Sequence, residues 1–117
     1  MGKIVMILRR SPYGDISAAE AVRHAMGGAA DDLDVHLVLV DNGVLLSKKG
    51  QMETGTGFTN LEDALKDCVE MGAMVYADEL SMKDNYLEPS DVIEGVKIVS
   101  GTKITELITE AKTTMIF

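Results

Sequence analysis

Two continuous apolar runs constrain this chain more than any other feature. Residues 3–9 read KIVMILR and residues 35–40 read VHLVLV. Neither alternates polar with apolar along its length, so neither suits a sheet with one face in water. Such runs belong to strands buried on both faces, as in parallel sheets. Shorter runs at 74–77, 96–99 and 113–117 read as three more strands.

Between the strands the period changes to that of a helix. Ile16, Ala19, Val22, Ala25 and Met26 form one apolar stripe, with Asp15 as its cap, Glu20 in its first turns and Gly27-Gly28 as its stop. Leu61, Ala64, Leu65, Cys68 and Val69 form a second. Thr59-Asn60-Leu61-Glu62 matches a capping box before it, and Gly72 ends it. Ile104, Leu107, Ile108 and Ala111 form a third, opened by Thr102. Residues 44–46 read as a short helix and Pro89-Ser90-Asp91 as a helical turn. Residues 78–86 read as either loop or a turn of helix. Strands alternating with helices imply crossover connections, and so a three-layer α/β/α sandwich around a mostly parallel five-stranded sheet.

The whole chain of 117 residues suits one domain. The charge of −8, from 19 acidic and 11 basic residues, argues against direct nucleic-acid binding, which needs cations on phosphates. It argues equally against an anionic membrane surface. No apolar stretch approaches a membrane span and no secretory leader is apparent, which points to the cytoplasm. A single cysteine, Cys68, excludes an internal disulfide and a multi-cysteine metal centre. His24 and His36 fall in different elements, so no metal site and no cofactor is expected. Gly55-Thr56-Gly57 has neither dinucleotide nor P-loop spacing.

In open parallel sheets, ligands sit beyond the C-terminal ends of the strands. That rule selects residues 9–13 after the first strand, with Arg9, Arg10, Ser11 and Tyr13 among them, and Asp41 and Asn42 after the second. It selects Asp78 and Ser81 after the third, and Ser100 after the fourth. No catalytic nucleophile stands out among them. Cys68 lies on an apolar helix stripe beside Asp67, a setting that suppresses a thiolate. Met52, Leu45, Leu46 and Met82 fall in or near loops, where apolar side chains mark a subunit interface.

The order of these pieces carries a resemblance. The opening strand with Ser11-Pro12-Tyr13-Gly14, an alanine-rich helix, the strand HLVLV, the pair Gly50-Gln51, and Ile93-Glu94-Gly95-Val96 through the closing MIF resemble the DsrE/DsrF-like family, and its YchN branch in particular. The resemblance spans essentially the whole chain. It implies a small cytoplasmic oligomer, a trimer or hexamer, in a sulfur-relay system. Family members that carry sulfur as a persulfide hold it on a cysteine after the third strand. That position corresponds to Asp78 here, and a second cysteine of the YchN-like branch to Ser81. A carboxylate cannot store sulfur. The resemblance therefore implies an accessory, non-catalytic member serving a cysteine-bearing partner. Two other readings of the strand-end face stand beside it. One is a small-molecule or anion-binding module, and the other an enzyme using carboxylate chemistry.

Overall fold

The computed structural model describes residues 2–51 and 60–117. Five strands are joined by helices: β1 (Lys3–Leu8), α1 (Ser17–Ala30), β2 (Val35–Leu39), a 3-10 segment (Asp41–Ser47), α2 (Leu61–Glu70), β3 (Met74–Asp78), α3 (Glu79–Asp84), a 3-10 turn (Pro89–Asp91), β4 (Val96–Val99), α4 (Gly101–Glu110) and β5 (Ala111–Ile116). All strand pairings within the sheet are parallel, in the order β4-β3-β2-β1-β5. The sheet is thus fully parallel.

That order explains the layers. The chain steps from β1 to β2, β3 and β4 in one direction, so right-handed crossovers place their helices on one face. The return from β4 to β5 reverses direction and puts α4 on the other. The larger core lies on the first face, where Met6, Leu8, Leu37, Leu39 and Val75 meet Ala18, Ala21, Val22 and Ala25 of α1 and Leu61, Leu65 and Cys68 of α2. A smaller core joins Val5, Val38 and Tyr76 to Leu107 of α4. Beside it, His36 is buried in β2 and both its ring nitrogens have partners. Its Nδ1 lies 2.9 Å from the Tyr76 hydroxyl and its Nε2 2.7 Å from Asp34 Oδ1.

Several boundaries differ from the sequence reading. The pair Gly27-Gly28 does not stop α1, which runs on to Ala30. Gly28 is there for packing: a Cβ would stand 2.7 Å from Val35 Cγ2. The side chain of Asn60 caps α2 by accepting from the amides of Glu62 and Asp63, and Thr59 lies outside the described residues. Ser100, not Thr102, caps α4. Residues 79–84 are helical because the Asp78 side chain accepts from the Ser81 amide. Leu46 and Met82 are buried at 0% and 3% exposure. They tuck into their own domain, which removes them as interface residues, and Leu45 packs partly buried against the same core. Met52 lies outside the described residues.

That α4 alone, among the described residues, covers the second face sets up a strong stability test. Leu107, 1% exposed, is the α4 side chain that seals this layer. Leu107→Ala is expected to lower unfolding free energy by about 3 kcal/mol, read from urea denaturation. A loss below about 1 kcal/mol would mean that α4 contributes little to the fold.

Candidate functional site

The C-terminal ends of β2 and β3 carry a closed hydrogen-bond network. Asp41 directly follows Val40 and adopts φ 51°, a left-handed backbone that a non-glycine residue adopts at some conformational cost. Its amide donates to Ser81 Oγ at 2.8 Å. The same hydroxyl donates to Asp78 Oδ2 at 2.6 Å, and the Ser81 amide donates to that oxygen at 3.1 Å. Asn85 ties the far end of α3 to the cluster, since its Nδ2 donates to the Asp41 carbonyl at 3.3 Å and to the Ser81 carbonyl at 2.9 Å. Arg9 Nε lies 3.5 Å from Asp41 Oδ2.

Asp41, Asp78 and Ser81 are therefore brought together. Asn42 lies exposed in the adjoining 3-10 segment. The β1 residues form a separate group. Arg10 pairs with Asp15 at 2.9 Å. Hydrogen bonds from Ser17, the larger cause, and from Arg10 hold the Asp15 carboxyl down at about 2. The Tyr13 hydroxyl donates to Gln51 Oε1 at 2.7 Å, and partial burial pushes its pKa up. Gln51 is fixed in turn, with its amide on Glu62 Oε1 at 2.8 Å and its Nε2 on the carbonyls of Leu46 and Lys48. Ser11 is half-buried and follows β1, where the strand order reverses between β1 and β5. Ser100 is spent capping α4.

Asn85 and Gln51 are members of these networks that the strand-end rule did not select. The spacing Asp78-x-x-Ser81 is itself a helix-start signal, and would have placed Asn85 at the end of a short helix. Ser81 is the hinge of the cluster. Removing its hydroxyl leaves the part-buried Asp41 amide without its acceptor, so Ser81→Ala is expected to lower stability by about 1–3 kcal/mol in thermal or urea unfolding. A neutral effect would show that water replaces the hydroxyl at no loss.

Cys68 is buried, and its Sγ lies 3.6 Å from the Val22 carbonyl. Burial, aided by Asp67, pushes the thiol up to about 11 from an ordinary 9.0. The neutral thiol favours the folded state. That contribution is whole below pH 9 and is lost as pH rises through about 11. Among the described residues no cluster of three His, Cys, Asp or Glu side chains could hold a metal ion. No helix among them is long and apolar enough to cross a membrane.

The fold and strand-end network define a small α/β/α domain with a polar, thiol-free edge at the ends of β2 and β3. The chain belongs to the DsrE/DsrF-like family, whose model matches residues 2–117. It is 29% identical over 115 residues to an uncharacterized protein of Methanocaldococcus jannaschii, covering 98% of this chain and 99% of that one. It is 27% identical to the intracellular sulfur oxidation protein DsrF of Allochromatium vinosum, over 93% of this chain and 91% of the relative. The crystal structure of the ychN protein from E. coli superposes over the full length of both chains with a TM-score of 0.91 at 23% identity. This likeness confirms the fold.

Proposed function

We propose that this chain is an accessory member of a cytoplasmic sulfur-handling assembly, an oligomer that does not itself carry persulfide sulfur. One observation carries the reading. The end of β3, where the family resemblance puts the sulfur-carrying thiol, is Asp78, and its carboxylate is committed to Ser81. The remaining thiol, Cys68, is buried under α1 and held neutral. The DsrF relative supplies the link to sulfur chemistry. The role that fits is structural: the strand-end face meets a cysteine-bearing partner and shapes the surroundings of its sulfur.

Mass spectrometry tests this directly. Native protein incubated with a small-molecule persulfide is expected to gain no sulfur. Its thiol is expected to label roughly a hundred-fold more slowly than an ordinary exposed cysteine, and to label fully on unfolding. A cysteine-bearing protein of the host, itself able to hold a persulfide, is expected to co-purify with the tagged chain. A sulfur adduct mapped to native Cys68 overturns the proposal.

A further inference from the structure

The strand β5 closes one side of the sheet and pairs only with β1 among the described residues. Its hydrogen bonds alternate. The Phe117 amide donates to the Ile7 carbonyl at 2.8 Å, and the Phe117 carbonyl accepts from the Arg9 amide at 3.1 Å. The Phe117 backbone is thus turned inward, and with it those of Met115 and Thr113, which share its parity. Thr114 and Ile116 then turn their N–H and C=O groups outward, towards the open side. A register shift at Lys3/Ile4, opposite Lys112, takes Lys112 out of the regular ladder. The regular free edge is therefore 113–117.

A second observation falls on the same strand. Helix α1 reaches β5 at its far end, where the His24 ring lies 5.5 Å from that of Phe117. Between them lies a groove of about 440 Å³ that sets the apolar Ile4, Met6, Leu33 and Met115 beside the polar Arg23, His24 and Asp31 of the α1 side, with Gly27 offering no side chain to fill it. Met115 borders both the groove and the free edge. Ile116 is 68% exposed on the opposite face of the strand.

We infer that the free edge of β5 pairs antiparallel with β5 of a second copy, about a two-fold axis through Met115. This inference rests on the oligomeric reading above and names its contact surface. The free donors select the register. Centring on Met115 sets Thr114 opposite Ile116 of the second copy, and Ile116 opposite its Thr114. Each pair exchanges two hydrogen bonds, so four form without involving Lys112. The two Met115 side chains then meet at the close, non-hydrogen-bonded position and join the apolar floors of the two grooves into one seam, a setting that suits the adaptable thioether, with Arg23, His24 and Asp31 on the rim. Charge points to the same strand. The chain as a whole is acidic, at −8, yet residues 111–117 contain one lysine and no Asp or Glu. The other edge, β4, has four residues and follows Glu94. A two-fold contact is isologous, so each patch is its own complement.

Two variants and a mass measurement test the seam. Wild-type protein is expected to be an even-numbered oligomer by light scattering. Thr114→Pro removes an amide that the domain does not use and is tolerated on an edge strand, so it is expected to halve the particle mass with unchanged circular dichroism. Met115→Cys is expected to form a covalent dimer under oxidised glutathione, since facing residues at such positions lie within disulfide reach, whereas Lys112→Cys is not. A trimer, or an oligomer that keeps its mass with Thr114→Pro and fails to cross-link through Met115→Cys, overturns the seam and leaves the oligomeric reading standing. Equal cross-linking through Lys112→Cys overturns the register. A wild-type monomer overturns both seam and oligomer.

Discussion

Gly43→Ala is expected to destabilise the protein by about 3 kcal/mol, seen as a large fall in the urea midpoint with the slope unchanged. Gly43 sits in the 3-10 segment that carries the chain from β2 over the end of β1. A Cβ there would stand 2.2 Å from the Leu8 carbonyl oxygen and 2.9 Å from its carbon. Both atoms are backbone of a central strand, and the same carbonyl accepts from the Val40 amide at 3.0 Å, so β1 cannot yield without breaking the ladder. The 3-10 segment cannot easily yield either. The Gly43 amide donates to the Val40 carbonyl at 2.8 Å, and Val44 and Leu46 behind it are fully buried. Gly27→Ala is the control. A Cβ at Gly27 meets nothing within 4 Å and its backbone is helical, so that change is expected to stabilise by about 0.5–1 kcal/mol. Equal effects at the two sites would refute the steric account. Because the 3-10 segment also presents Asp41 to Ser81, Gly43 ties the fold to the strand-end network.

The sheet was legible in the sequence because its signal is local. KIVMILR and HLVLV need burial on both faces, and only a covered parallel sheet gives it. The stripe of α2 was equally readable, down to Cys68 as an inward residue, but in α1 Ile16 and Ala19 face outward while Ala18 and Ala21 take the core, and Ile108 of α4 is 41% exposed. Boundaries failed where a tertiary contact outweighed a local rule. Gly27-Gly28 has the look of a helix stop, but Gly28 serves the approach of Val35. Thr102 is a plausible cap, yet Ser100 lies nearer the strand end and takes that role. Leu46 and Met82 looked like loop residues because nothing nearby in sequence shows that they are covered. The site was half legible for the same reason. The strand-end rule picked Asp41, Asp78 and Ser81 individually, but the bond joining Asp41 to Ser81 spans 40 residues. It exists only once β2 and β3 pair. Tyr13 and Arg10 obey the same rule and are drawn instead to Gln51 and Asp15, one strand away.

Asp78→Cys is expected to turn a thiol-silent edge into a reactive one. A thiolate at residue 78 would sit where the Ser81 amide and hydroxyl already donate to a carboxylate oxygen, and donors aimed at an anion favour the charged form. The position is half-buried rather than sealed. Near neutral pH the introduced thiol is expected to label roughly a hundred-fold faster than Cys68, whose pKa stands at about 11. Given a small-molecule persulfide, the introduced thiolate can attack the outer sulfur, form the new S–S bond and release the donor thiolate. The variant is then expected to gain one sulfur where the wild type gains none. Stability should fall by about 1 kcal/mol, because the carboxylate cap of α3 is lost. The pH dependence of labelling separates two explanations of a fast rate. If the introduced thiol reacts quickly only because α3 has frayed, its rate will titrate like that of a free thiol, at about 8.5. If the strand end is an anion-stabilising edge in its own right, the rate will level off at a lower pH. Slow labelling of the introduced thiol itself, at the rate of Cys68, would mean that the ends of β2 and β3 are not an open face, and the site reading would fall with it.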